Sequence, residues 1–270
     1  MAAARGPAGA VPVLMYHSVS LVPRGPLRDL AVPPWRLAEQ LAALVDAGHR
    51  LVGLSAAADL IAAGGAERLV AVTFDDGYAD FLRAALPVLA DLGVTATLYP
   101  AVGHLGGPAT WLGRHAGAVG PLLTWAQVRE VAAAGIEIGS HGLVHHPLDV
   151  LPAAQVRREV GESRDRLEQE LGRLVRSFCY PHGYHNRRVR TAVAEAGHDT
   201  ACEVGRRLYE PGDDRFAVPR LQPTPDHAGA DLLQMVATGG PQAIGRAKRL
   251  AQPAWRTVRR VAHLFGGRLA

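Results

Sequence analysis

Lysine is nearly missing from this 270-residue chain: Lys248 is the only one among 29 basic side chains. The cationic character is therefore arginine's, which reads as a coding bias of a GC-rich genome rather than as chemistry. Cysteine is scarce too. Cys179 and Cys202 stand alone, so at most one bridge is available in an oxidising compartment, and two buried free thiols are the expectation. No stretch approaches the ~18 uninterrupted apolar residues of a membrane-spanning helix. The first residues hold no apolar core of signal-peptide length and Pro12 comes soon after, so a cytoplasmic location is expected. Also missing is a glycine-rich fingerprint after the first apolar run, which removes the main sequence argument for a dinucleotide-binding fold. With 48% hydrophobic and 20% charged residues, wholesale disorder is excluded. Acidic residues are absent from 241–270, where Arg246, Lys248, Arg249, Arg256, Arg259, Arg260 and Arg268 give +7. The whole chain carries +4, which leaves −3 for residues 1–240. Basic charge spread over a domain would suggest nucleic acid. Confined to a tail it says little about the domain's ligand, and no nucleic-acid partner is expected.

A repeating order of strand, loop and helix fills the rest. Apolar runs at 11–17, 51–54, 69–74, 94–99, 136–138, 177–180, 200–204 and 216–221 read as strands, with 69–74 continuously apolar and β-branched. Helical stretches alternate with them at 34–47, 55–63, 80–92, 124–134, 152–171, 186–196 and 226–237, and Gly48, Gly93 and Gly197 close three of these. Residues 103–120 read as a long loop. Strands separated by helices imply a parallel sheet with helices packed outside it. Such units suit a closed barrel or an open doubly wound sheet, and the missing fingerprint favours the barrel. The expectation is an α/β fold, a distorted (β/α) barrel forming a single domain over 11–240. A disordered 1–10 precedes it and a basic helical tail, 241–270, comes after it.

In either architecture the functional residues gather where strands end and loops begin. Asp75, Asp76 and Gly77 come after the run 69–74; Ser140, His141, Gly142, Leu143, Val144, His145 and His146 after 136–138; Pro181, His182 and Gly183 after 177–180; and the first run ends in Tyr16 and His17. Four strand ends thus deliver acids and imidazoles to one rim. Consecutive residues of an extended strand face opposite ways, so Asp75 and Asp76 can divide their roles, one binding a cation while the other faces substrate. His141 and His145, four apart, converge on one ion if their loop curls like a helical turn. With Asp76 they make a two-histidine, one-carboxylate set with open positions, suited to a catalytic divalent metal, zinc first, with iron, cobalt or nickel as alternatives. His146 is the bystander in that spacing. Either motif alone is weak, a common turn or a solvent-facing pair. Their joint placement after strands of one repeating fold is not.

These residues resemble the polysaccharide deacetylases, carbohydrate esterase family four. The first motif of that family is similar to Thr73-Phe74-Asp75-Asp76-Gly77, the second to His141-Gly142-Leu143-Val144-His145, with Gly142 in place of a hydroxyl residue, and the third to Phe178-Cys179-Tyr180-Pro181-His182-Gly183. The stretch 86–99 also looks like the segment after the first motif in that family. The opening 11–19, Val-Pro-Val-Leu-Met-Tyr-His-Ser-Val, resembles a sub-branch that includes deacetylases of poly-N-acetylglucosamine. The likeness spans roughly 11–225. It implies a distorted (β/α) barrel and metal-dependent hydrolysis of the amide of an N-acetylated carbohydrate substrate. By the same likeness Asp76, His141 and His145 bind the metal, Asp75 is the general base, and the His182 backbone N–H receives the oxyanion. Tyr180 is a second candidate on the substrate side, with packing the heavier alternative.

Three departures from the family pattern bear on mechanism. No Leu-x-His motif supplies the acid near the domain's end, and His227 does not fit it; the resemblance to the Leu-Met-Tyr-His sub-branch, where a histidine of the first strand fills that role, implies His17 as the candidate acid. Cys179 stands where the third motif usually has an arginine that orients the base, and Arg220, on another strand, is the candidate replacement. The usual fourth-motif tryptophan is missing too, leaving Trp111 and Trp125 as sugar platforms or, with more weight, core. Two other functional classes stay open: a catalytically silent carbohydrate-binding relative, and a metal-dependent glycosyltransferase using Asp75 and Asp76. In the tail, Ile244, Ala247, Ala251, Trp255, Val258, Ala262 and Phe265 fall on one helical stripe flanked by arginines. That pattern suits contact with an anionic membrane surface, at the inner face, or packing on the barrel, and Pro253 would divide it.

Overall fold

The structure is a computed structural model that describes residues 9–21 and 25–240; the basic tail and most of the N-terminal segment expected to be disordered lie outside the described residues. Ala10, in the last part of that segment, packs against the core. The frame is built on β3 (Leu69–Asp76), all eight residues of which are buried, as an unbroken apolar run requires when both faces of a sheet are covered. Parallel to it lie β1 (Val13–Tyr16), β2 (Arg50–Val52), which meets only its first residues, and β4 (Thr97–Pro100), which meets its last. β5 (Glu137–Ile138) continues from β4, and β6 (Ser177–Cys179) pairs with β7 (Thr200–Cys202), again in parallel.

Single parallel bridges join these pieces. Ser140 to Phe178 links the end of β5 to β6, Cys202 to Val218 links β7 to the segment 218–221, and Leu14 to Leu221 brings that segment back to β1. The Leu221 amide donates to the Val13 carbonyl at 2.7 Å, and the Leu221 carbonyl accepts from Met15 at 2.8 Å. The ring therefore closes. It is the expected (β/α) barrel, distorted because three of its seams are isolated bridges rather than ladders, and 218–221 acts as a strand without forming a regular one.

Helices α1 (Pro34–Asp46), α2 (Leu54–Ala62), α3 (Leu86–Asp91), α4 (Trp125–Ala133), α5 (Ala153–Leu171), α6 (Arg187–Glu195) and α7 (Gly229–Thr238) fall where the periodicity predicts them, with one difference. The stretch 80–92 is not one α-helix: it opens with a π-helical turn, Phe81–Ala85, before α3. Pro87 has no N–H to give to the Arg83 carbonyl, so the regular ladder cannot run through it. The predicted loop 103–120 contains 3₁₀ turns at Val102–His104 and Thr110–Ala118. Helix α2 lies across the starts of the strands. Its Leu54 amide donates to Thr97 Oγ1 at 2.7 Å, and the Glu137 carboxylate accepts from Ser55, Thr97 and Ser177 at 2.5, 2.6 and 2.8 Å. Above this knot, Val13, Leu54, Ala71, Tyr99 and Cys202 pack inside the barrel. Among the described residues, no helix is long and apolar enough to cross a membrane.

His198, in the turn from α6 into β7, is 3% exposed and lies 5.4 Å from the Phe178 ring. Burial, helped by the nearby Arg164, pushes its imidazole down to about 3. An unfolded chain takes up that proton near the ordinary value of 6.5, whereas the folded chain refuses it until far lower pH. The resulting stability is complete above about 6.5 and drains away as pH falls, by about 2 kcal/mol between pH 7 and pH 5. Urea melts of His198→Leu at those two pH values should show a difference smaller than that of the natural chain by about this amount.

Candidate active site

Asp75 and Asp76 end β3 and are each 3% exposed. The strand stops there because Asp76 and Gly77 both take the left-handed region, φ 72° and 83°. At Gly77 a side chain is impossible, since a Cβ would come within 2.9 Å of Pro100 Cα. The second and third loops turn in the same way. His145 and His182 hold φ 57° and 58°, a conformation that non-glycine residues adopt rarely and at a cost of about 1–3 kcal/mol. Asp76, His145 and His182 thus carry local strain at the rim, which the surrounding packing must maintain.

The two carboxylates point to different partners, as their adjacency predicts. His141 Nε2 and His145 Nε2 both approach a single oxygen, Asp76 Oδ1, at 3.3 and 3.2 Å. His141 Nδ1 lies 2.8 Å from the Cys179 carbonyl, which can only accept, so this nitrogen carries the proton. In the neutral ring Nε2 then turns a lone pair towards a carboxylate oxygen, an arrangement that repels unless positive charge lies between. Burial lowers His145 outright; it is also the largest single influence on His141, but Asp76, Asp75 and the Cys179 carbonyl together outweigh it there and leave that imidazole raised. Burial would likewise lift the Asp76 carboxyl, yet the two imidazoles hold it well below the usual range. One ligand atom each from Asp76, His141 and His145 lie within 4.8 Å of one another. A buried set of one carboxylate oxygen and two imidazole nitrogens, drawn together in this way, fits a divalent cation.

Asp75 is gripped differently. The wholly buried Arg220 forks onto it, with Nη1 to Oδ1 at 2.6 Å and Nη2 to Oδ2 at 2.7 Å, while Nη1 also reaches Thr73 Oγ1 at 3.0 Å and Nε reaches the Glu203 carbonyl at 3.1 Å. Burial pushes this carboxyl up, but Arg220 overcomes it and the net displacement is downward. The Cys179 thiol completes the clamp, 3.4 Å from Asp75 Oδ2 and 3.1 Å from Arg220 Nη2. Both cysteines are free and buried, as expected.

The remaining candidates divide. His17 edges the cleft with Nε2 3.9 Å from Asp75 Oδ2 and a side chain 15% exposed. The His182 ring meets His145 edge-on at 4.4 Å, and among the described residues no acceptor takes its backbone N–H. Burial holds its imidazole well below the ordinary value. Trp111 stacks flat on His145, with centroids 4.3 Å apart at 17°, and so lines the cleft, while its ring also packs against the small core cluster of Tyr78, Ala109, Val119 and Leu122, as the heavier expectation from sequence had it. Trp125 packs against the core. Tyr180 is not brought to the cleft. Next to inward-facing Cys179 it points outward, packs against Phe178, and spends its hydroxyl on the Phe216 carbonyl at 2.9 Å. His227 is engaged locally, its Nδ1 accepting from the Thr224 amide at 2.9 Å. Thr73 lies within the recognised motif, yet sequence reasoning misses it as an anchor for Arg220. The cleft itself holds about 150 Å³ and is walled, beyond these acids and imidazoles, by Leu30, Trp111, Leu112 and Val204.

The family model for polysaccharide deacetylases matches residues 63–201. The chain belongs to that family, whose members are hydrolases acting on the amides of N-acylated carbohydrates. A curated relative named as a polysaccharide deacetylase, YxkH of Bacillus subtilis (strain 168), is 26% identical over 225 residues, covering 82% of this chain and 74% of its own. Among solved structures, IcaB from Ammonifex degensii matches with a TM-score of 0.70 at 26% identity, over 86% of this chain and 97% of that one. The Streptococcus pyogenes deacetylase PplD, solved with acetate, matches in fold with a TM-score of 0.72 at 22% identity, over 84% and 98%.

Removing one partner of a buried ion pair strands the other charge, at a cost of about 3–5 kcal/mol. Arg220→Gln should show a loss of that size in urea unfolding. Adding Asp75→Asn should recover much of it, so that the double variant costs clearly less than the two single losses together.

Proposed function

We propose that the chain removes the acetyl group from the nitrogen of an N-acetylated amino sugar or glycan, using a divalent cation, zinc in the first place, held by Asp76, His141 and His145. The observation that carries this reading is the pairing of a carboxylate shared by two imidazoles with a neighbouring carboxylate that neither imidazole takes. When bound, the cation would polarise the amide carbonyl and bring the pKa of an adjacent water from 15.7 towards ~7. Asp75 accepts the proton of the attacking water: it is ionised at neutral pH because Arg220 holds it so, and Oδ1, which takes only Arg220 Nη1, keeps a second lone pair, while Oδ2 is also met by the Cys179 thiol. The unpaired His182 N–H donates to the developing oxyanion. His17, whose Nε2 lies 3.9 Å from Asp75 Oδ2, delivers a proton to the departing amine. Trp111 offers a flat face for the sugar ring.

Support for hydrolysis over silent binding comes from Arg220, which stands on Asp75 although the third motif lacks its arginine. Glycosyl transfer through magnesium or manganese is disfavoured, since those hard ions prefer oxygen to a pair of imidazoles.

Acetate release should be measured over N-acetylated saccharides with zinc, cobalt, nickel and iron. Asp76→Ala and His141→Ala should lose bound metal and turnover together, whereas Asp75→Asn should keep the metal and lose turnover. A chain that holds metal normally in Asp76→Ala, or releases acetate normally in Asp75→Asn, would overturn the assignment. His17→Ala should retain metal and lower kcat by ~10²–10⁴-fold; an unchanged rate would mean that another group serves as acid.

A further inference from the structure

Helix α5 turns Val156, Val160, Ser163 and Leu167 to the interior, and Glu159 lies on the same face, only 4% exposed. A carboxylate among such neighbours needs hydrogen-bond partners to offset its desolvation. Its partners are in the loop between His141 and His145: Oε2 accepts from the Leu143 amide at 2.8 Å and from the Val144 amide at 3.1 Å. The carbonyls of the same loop are taken from the other side, Gly142 by the Val102 amide at 3.0 Å and Leu143 by the Gly103 amide at 2.8 Å. Gly142 makes room for the carboxylate. It sits at φ +75°, and a Cβ there would stand 3.3 Å from Glu159 Oε2.

From this geometry we infer that Glu159 is a positioning residue of the metal centre: by holding the Leu143 and Val144 amides it fixes the loop in which the Nε2 atoms of His141 and His145 converge on Asp76. The inference rests on the reading of Asp76, His141 and His145 as ligands. Gly142, which departs from the hydroxyl residue of the family pattern, is then the counterpart of Glu159, because a side chain at that position would crowd the carboxylate. The buried carboxylate also leaves the two loop amides no need of water.

Zinc affinity of the full chain, measured by competition with a chromogenic chelator, tests this independently of turnover. Glu159→Leu should weaken zinc binding by about 10–100-fold. Glu159→Gln, which keeps an acceptor oxygen, should fall between it and the natural chain. Acetate release by the Leu variant should rise towards normal at saturating zinc. A role confined to packing would lower Tm and leave zinc affinity unchanged, and that result in the folded variant overturns the inference. If Glu159→Leu does not fold, Glu159→Asp, which keeps the charge but draws the oxygens back from the loop amides, carries the test; weakened zinc binding supports the inference and unaltered binding overturns it. A natural chain that binds no zinc defeats the metal reading, and the inference with it. Variants indistinguishable from a zinc-binding natural chain defeat the inference alone.

Discussion

A guanidinium buried inside the barrel is the constraint on which the rest depends. Arg220 leaves solvent entirely, which is tolerable only because each edge of its planar head meets an acceptor: the Asp75 carboxylate, the Thr73 hydroxyl and the Glu203 carbonyl. Those partners come from β3 and from the end of β7, and Arg220 itself from the segment that closes the ring. One ion pair thus ties the best-laddered strand of the sheet to a segment held on each side by a single bridge. It also decides the chemistry next door. With Arg220 committed to Asp75, the site keeps one uncompensated negative charge at Asp76, and two imidazoles turn towards that charge. Structural cohesion and readiness for a cation have the same origin.

Much of this was legible in the chain because both signals are local. The unbroken apolar run of β3 announces a strand covered on both faces, and the residues directly after it must lie at a strand end. The spacing of His141 and His145 needs only a curled loop to bring them together, and the left-handed residues at 142 and 145 provide one. Arg220 was reachable by a different route: an orienting arginine missing from one strand had to be sought on a strand beside it in the barrel. Side-chain direction and packing were harder to read. Tyr180 shares a motif with Cys179, yet strand alternation sends them to opposite faces. Trp111 lies in a stretch with no periodicity, so nothing in the sequence places it over His145. Glu159 was within reach, since it falls three residues after Val156 and one before Val160 on the buried stripe of α5, where an acid stands out. Its partners, however, are backbone amides, which composition cannot display.

The barrel also shows how unevenly a closed sheet distributes its hydrogen bonds. Ladders join β1, β3 and β4, while three other seams depend on single bridges. Side chains make up the difference. Glu137 collects hydroxyls from three segments at the base, Arg220 spans strands in the middle, and His141 joins its loop to β6 through the Cys179 carbonyl. A fold with short strands and long connections needs such cross-ties, and here several are also the residues that orient the acids and imidazoles of the rim.

Helix α2 gives the molecule a floor. Its placement across the strand starts, above which side chains fill the interior, puts the acids and imidazoles at the opposite end, where the strands give way to loops. A ligand that reaches Asp75 and Asp76 therefore meets them in a cleft of about 150 Å³ on the loop side of the barrel, away from the end that α2 covers.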